Sequence, residues 1–420
     1  LSDFVVVGGG IAGLVLARRL ALGGKTVTLL EASDHLGGTV TRHEVGGIDL
    51  DAGAESFATR AGTVAALATA LGLGGEIVEP NPAGAWLQPA VGPAFRLPEN
   101  SLLGIPGSPL ATDVTPIIGT RAAWRAYSEI FLPGTYAANS KTVGELVRKR
   151  MGADVLDKLV RPVVRGVHSA DVDELPVDRV APGLRGAMRR TGSLSHAVLD
   201  LRMTSARAGS AVAGIRGGVA RLVDELQADL ARFGVDVRLN ARVTSVEPGR
   251  AVVDGSRVDG RVVVAAPSIL GGKTDAGTRV VLATLVVDEP SLDAAPRGTG
   301  VLVAAGTDGI RAKALTHATA KWEWLAQRAN GKHVLRLSYD DDPENLAEVA
   351  REDASRLLGV RLETSAVLDF ARVEWYRPKV VDDTPDKIPL AGESIAGTGL
   401  ASVVAQSESL AGSLLEDAEG

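Results

Sequence analysis

The 420-residue chain contains no cysteine. That excludes disulfides, thiolate nucleophiles and centres of zinc or iron–sulfur held by Cys. It has no apolar run long enough to span a bilayer, and its first residues carry no basic-then-apolar secretion signal. A cytoplasmic setting is therefore expected. The chain opens on Leu1 and a strand begins by Phe4, so further residues are expected ahead of it. Histidine is scarce: the six residues at 35, 43, 168, 196, 317 and 333 show no close pair at metal-ligand spacing, and no metal is expected. No Gly-x-Ser-x-Gly elbow is present, which disfavours an α/β-hydrolase. Gly-Lys-Thr occurs at 24–26 and 272–274. The phosphate-loop pattern needs an upstream glycine, and Arg19 and Pro267 occupy those positions. A net charge of -6 argues against general nucleic-acid binding.

Composition is otherwise that of a globular protein, 45% hydrophobic and 23% charged, and too long for one ordinary core. Charge is uneven. Between Lys141 and Arg221 there are 15 Lys/Arg against 8 Asp/Glu. This reads either as solvated helix faces or as a basic surface for an anionic small molecule or an acidic membrane face.

The first forty residues organise the rest. Phe4–Val7 is a short apolar strand, Gly8–Gly13 a glycine turn, Leu14–Leu22 helix-periodic, and Val27–Glu31 a second strand. In such a unit Gly8 permits the turn, Gly10 admits a pyrophosphate to the backbone, and Gly13 lets helix and strand pack closely. The helix N-terminus offers N–H groups to phosphate, and Glu31 offers a carboxylate to a ribose. Leu36-Gly37-Gly38-Thr39-Val40 suits a backbone passing near that ligand. Ile48–Ser56 alternates and then runs into the small residues Ala52, Gly53 and Ala54, leaving room for a flat ring system.

Helices are expected over 61–71, 141–160, 219–230, 344–358 and 400–415. The stretch 80–133, rich in Pro and Gly, reads as loops and short elements. Val235, Val237, Leu239, Ala241 and Val243 alternate as one half-buried strand, and the continuous apolar run Val262–Pro267 reads as a parallel strand buried on both faces. Strands are expected within 280–287, 300–305 and 333–339. Gly392–Gly399 is a second glycine turn opening a helix, placed to meet a second electron-rich part of the cofactor such as a flavin edge.

Together, Gly8–Gly13 with Glu31, Leu36–Thr39, Asp51–Ser56 and Gly392–Gly399 resemble the FAD-dependent amine-oxidase-like superfamily. Within it, Thr142–Gly152 and Leu159–Asp171 resemble the HemY-type porphyrinogen oxidases, and the likeness runs over nearly the whole chain. It implies an α/β fold: a discontinuous Rossmann-like FAD-binding domain, a β-rich substrate domain and an inserted helical domain. The implied FAD-binding pieces are 1–80, 204–275 and 373–420. Residues 81–135 would start the substrate and helical parts, 136–203 would form the helical insert, and 276–372 the β-rich substrate domain. Between Trp375-Tyr376 and Gly392 the chain is shorter than the resemblance leads one to expect.

For the cofactor, the resemblance implies pyrophosphate contacts at Gly8, Gly10, Ile11, Ala12 and Gly13, and ribose contacts at Glu31 and Ala32. It places Gly37, Gly38 and Thr39 at the flavin approach, with Gly53, Ala54, Glu55 and Ser56 near the ring. Val243 would make an adenine-side backbone contact and Ala266 would border the same cofactor. Glu393, Gly399 and Leu400 would lie at the ribityl chain and flavin edge. The implied reaction oxidises a porphyrinogen to a porphyrin with O2 as acceptor, releasing H2O2. A bridge methylene can give up hydride to the flavin because the remaining cation is delocalised over the pyrroles, so no acid–base dyad is assigned. The usage, rich in Ala and Arg and poor in Lys, looks like a high-GC bacterium, where this family acts on coproporphyrinogen III. Arg60 is the expected partner of a substrate propionate. Protoporphyrinogen IX is the alternative substrate. An amine oxidase is disfavoured because only Trp375 and Tyr376 stand near the chain end to sandwich an amine. A carotenoid desaturase and a non-catalytic scaffold are the remaining alternatives, and the intact phosphate turn with Glu31 argues against the scaffold.

Overall fold

The computed structural model describes residues 2–168, 171–207, 212–266, 269, 277–377 and 388–419. The chain forms two compact units. One comprises residues 1–79, 211–279 and 373–420, the other 80–210 and 280–372.

The first unit is built on a four-stranded parallel sheet. β1 (Phe4–Val7) lies between β2 (Val27–Leu30) and the strand Arg261–Val264, and Asp236–Arg238 pairs with the far side of β2. β1 and β2 are buried along their whole length, as an apolar strand covered on both faces must be. α1 (Ile11–Leu22) connects them. It packs with the helices Arg221–Arg232 and Leu400–Glu419 through Leu14, Leu16, Leu20, Leu226, Leu230, Val404 and Leu414. Arg18 on α1 and Asp229 form a buried ion pair at 2.8 Å within this layer. Val5, Val7, Val262 and Val264 face the opposite way, onto Ala251 and Val258 of a three-stranded antiparallel meander. A hairpin of β3 (Arg42–Val45) and β4 (Ile48–Asp51) follows Gly37–Thr39.

One sequence expectation is corrected here. The alternating run 235–243 is two strands in two sheets: Asp236–Arg238 joins the parallel sheet, and Val243–Glu247 opens the meander. Asn240 divides them, with φ 52° and its N–H turned to the Ser33 carbonyl at 2.8 Å. Alternation of side chains continues through such a corner, so the pattern cannot reveal it.

In the second unit a seven-stranded sheet has Thr278–Val287, His333–Tyr339, Ala314–His317 and Gly300–Val303 at its centre. One face packs on the helix Leu346–Leu358 through Leu335, Leu337, Leu357 and Leu358. A separate apolar cluster holds the helices between Val143 and residue 201. The expected helix over 141–160 is interrupted at Gly152, with φ 96°, and continues through a π-helical turn, Leu156–Val160, into Arg161–His168. No described helix is long and apolar enough to cross a membrane.

Of the 15 Lys and Arg between 141 and 221, ten have an ion-pair partner among the described residues. Most of these basic side chains are therefore paired with carboxylates.

Candidate functional site

The glycine turn between β1 and α1 is closely built. A Cβ on Gly13 would stand 1.9 Å from the Gly8 carbonyl oxygen, so only glycine lets α1 approach β1 this closely. At Gly10 a Cβ would meet nothing within 4 Å. Backbone that is tight behind and open in front is what a diphosphate needs. Ile11 and Ala12 form the first turn of α1, where N–H groups and the helix dipole favour an anion.

Glu31 stands at the end of β2 and reaches back to this turn. One carboxylate oxygen accepts the Gly9 N–H at 2.7 Å; the other accepts the Ser33 N–H and hydroxyl, each at 2.8 Å. Burial pushes the Glu31 carboxyl up. The Ser33 and Gly9 N–H groups and the Ser33 hydroxyl, with a weaker pull from the nearby Ala32 N–H that makes no close hydrogen bond, outweigh that and hold it below its ordinary value. A carboxylate has about four acceptor positions. Three are filled, which leaves capacity for a ribose hydroxyl.

Gly37 and Gly38 close on the same turn. The Gly37 N–H bonds to the Gly9 carbonyl at 2.8 Å, and Gly10 and Gly37 pair as an isolated parallel bridge. Thr39 then meets the hairpin: a Cβ on Gly53 would lie 2.0 Å from the Thr39 carbonyl oxygen. Ala54, Glu55 and Ser56 continue from Gly53, half-buried. Ala266 lies beside Gly8, where any side chain on the glycine would strike it. Val243 is brought to the Glu31 end of β2, because the Ala241 N–H bonds to the Glu31 carbonyl at 2.8 Å and Val243 packs with Leu30.

The closing turn joins them. Val264 pairs with Leu390, and a Cβ on Gly392 would be 3.7 Å from the Ala12 Cβ. Glu393 opens a short helix, half-buried; burial raises its carboxyl above the ordinary value, and Arg377 partly offsets this. Gly399 is exposed and Leu400 begins the last helix, packed against the core. The first unit thus brings together the turn, Glu31, Gly37–Thr39, Gly53, Ala266 and Gly392. The side chain of Arg60 and residues 378–387, where the shortened segment falls, lie outside the described residues.

Two polar residues of this cluster had no assigned role in the sequence. Gln406 accepts the Gly392 N–H at 3.3 Å and donates to the Leu390 carbonyl at 3.0 Å, fastening the closing turn to the last helix. Asp51 accepts two backbone N–H groups at the other end of the chain's long insertion. No local pattern marks Gln406, and Asp51 is visible only as the acidic residue before Ala52-Gly53. In the second unit, His317 and His333 lie 3.1 Å apart, nitrogen to nitrogen, across neighbouring strands, a proximity that a spacing of sixteen conceals. No group of three or more Asp, Glu or His that could hold a metal occurs among the described residues.

The family model for flavin-containing amine oxidoreductases matches residues 11–269. The chain is 28% identical to a coproporphyrinogen III oxidase of Mycobacterium tuberculosis, over 96% of this chain and 95% of that protein. It is 25% identical to one of Staphylococcus aureus, over 85% and 84%. A solved structure of a protein assigned as a protoporphyrinogen oxidase from Exiguobacterium sp. matches with a TM-score of 0.82 at 22% identity, covering 99% and 98% of the two chains. Putrescine oxidase matches with a TM-score of 0.64 at 16% identity, covering 100% and 99%. These two structures speak for the fold alone. The glycine cradle, open at Gly10 and with acceptor capacity left on Glu31, fits the cofactor FAD. The chain belongs to the flavin-containing amine oxidoreductase family and is an FAD-dependent oxidase.

Proposed function

We propose that the protein oxidises coproporphyrinogen III to coproporphyrin III in haem biosynthesis, with O2 as acceptor and H2O2 as by-product. The observation that carries this reading is similarity along 96% of the chain to a coproporphyrinogen III oxidase, combined with a cradle suited to FAD. In this reading the pieces 1–80, 204–275 and 373–420 hold the cofactor. The turn Gly8–Gly13 binds the pyrophosphate, Glu31 with Ala32 the ribose, and Val243 the adenine side. Gly37–Thr39 and Gly53–Ser56 line the flavin, while Glu393, Gly399 and Leu400 meet the ribityl chain and flavin edge. Bound FAD supplies the hydride acceptor. The chain supplies orientation and a dry surround, because a bridge-carbon cation shared over the pyrroles needs no base for its formation.

Within this reading Arg60 pairs with a substrate propionate through its planar fork. The setting is cytoplasmic, with peripheral contact at an acidic membrane face through Trp124 and Phe131, which are 58% and 79% exposed beside Arg121 and Arg125. Side-by-side turnover of coproporphyrinogen III, protoporphyrinogen IX and a simple amine tests the assignment. Coproporphyrinogen III is expected to give the highest kcat/KM, with fluorescent coproporphyrin and H2O2 formed together. Arg60→Ala is expected to raise KM and leave kcat nearly unchanged. Faster turnover of the amine contradicts the proposal.

A further inference from the structure

The segment carrying Gly53 is held by a helix from a distant part of the chain. Asp51 ends β4 and is only 8% exposed. Its two carboxylate oxygens accept the Val219 and Ala220 N–H groups, each at 2.9 Å, across 168 and 169 residues of sequence. Those N–H groups belong to the cap residue Ala220 and the residue before it, directly ahead of the helix Arg221–Arg232, and Ala220 has no side-chain acceptor of its own. Asp51 thus does from a distance what the carboxylate of a capping box does locally, accepting the cap residue's N–H with its charge at the positive end of the helix. The fit leaves no slack, because a Cβ on Gly218 would stand 2.9 Å from the nearer Asp51 oxygen.

The same helix touches the cradle at further points. Arg42, the direct cross-strand partner of Asp51, forms an ion pair with Asp224. A Cβ on Gly37 would lie 3.2 Å from a Val223 methyl, so this helix also backs the Gly37–Thr39 loop. Beyond Asp51, the Ala52 N–H bonds to the Thr41 carbonyl at 2.8 Å, and Gly53 presses on Thr39. One helix therefore supports both loops assigned to the flavin.

We infer that Asp51 is a positioning residue for FAD: by gripping the N-terminus of the helix Arg221–Arg232, it fixes Gly37–Thr39 and Gly53–Ala54 relative to the phosphate turn. The inference rests on the cradle proposed above. A carboxylate that merely stabilised the fold would lower the melting temperature and leave the bound flavin's environment unchanged. The test compares wild type, Asp51→Asn, Asp51→Ala and Gly10→Val as full chains. It reads the FAD Kd by flavin fluorescence, the visible circular dichroism of the bound flavin, and the melting temperature of the apoprotein.

Asp51→Asn keeps one acceptor oxygen and loses the charge. It is expected to raise the FAD Kd several-fold and alter the visible dichroism, and Asp51→Ala is expected to raise Kd about tenfold or more. If Asp51→Ala does not fold, Asp51→Asn decides. Wild-type Kd and wild-type visible dichroism in a folded Asp51→Asn, whatever its melting temperature, overturn the inference. Gly10→Val separates the two claims. It is expected to abolish FAD binding at an unchanged apoprotein melting temperature, and unchanged binding there overturns the cradle itself.

Discussion

In the first unit Glu31 takes its hydrogen bonds from Ser33 and from Gly9, stays half-buried, and has three of about four acceptor positions filled. In the second unit Glu129 and Arg150 are both wholly inaccessible, and their network is full. Glu129 accepts from Arg150 Nε, Leu194 N, Ser195 N and the Ser195 hydroxyl. Arg150 uses the rest of its guanidinium on the carbonyls of Pro133, Tyr136, Glu129 and Gly192. A saturated buried pair joins one segment to another and has nothing left for a ligand. A carboxylate with spare capacity beside an open glycine has room to accept one. Burial and the count of unfilled acceptor positions both separate the two carboxylates, whereas charge does not.

The largest expected effect comes from breaking the saturated pair. Glu129→Ala leaves the Arg150 charge buried without its carboxylate and should cost about 3–5 kcal/mol, read from the urea midpoint. Glu31→Gln sharpens the other side of the comparison. It should cost only about 1 kcal/mol of apoprotein stability, while FAD affinity falls about tenfold. If Glu31→Gln destabilises as much as Glu129→Ala and spares FAD, the distinction fails.

Smaller still is a pH effect. Burial, reinforced by the neighbouring His333, lowers His317 from 6.5 to about 4, so it is neutral in the fold. Between those values the unfolded chain binds more protons, so this contribution is complete above pH 6.5 and is lost as pH falls toward 4. His317→Gln should flatten the melting-temperature slope in that window, and an unchanged slope would show that His317 does not titrate there.

The contrast also explains what the sequence revealed. The cradle was legible because its parts are short and local: Gly8–Gly13, Glu31 and Gly37–Gly38 each declare a backbone requirement. The strands Phe4–Val7 and Arg261–Val264 were legible because full burial leaves continuous apolar runs. The corner at Asn240 was hidden, since alternation does not record a change of sheet. Partners separated by long stretches of chain, such as Asp51 with Val219 or Glu129 with Ser195, were hidden too. A carboxylate in the sequence does not state which distant N–H it will meet.

The central claim is that this cradle holds FAD and delivers it to a porphyrinogen. The visible spectrum of the purified protein, recorded without oxygen before and after addition of coproporphyrinogen III, tests it most directly. Flavin bands in stoichiometric amount that bleach as coproporphyrin fluorescence appears, then return with O2, are the predicted result. A protein that takes up no FAD, or whose flavin bleaches with an amine and stays oxidised with the porphyrinogen, would contradict it.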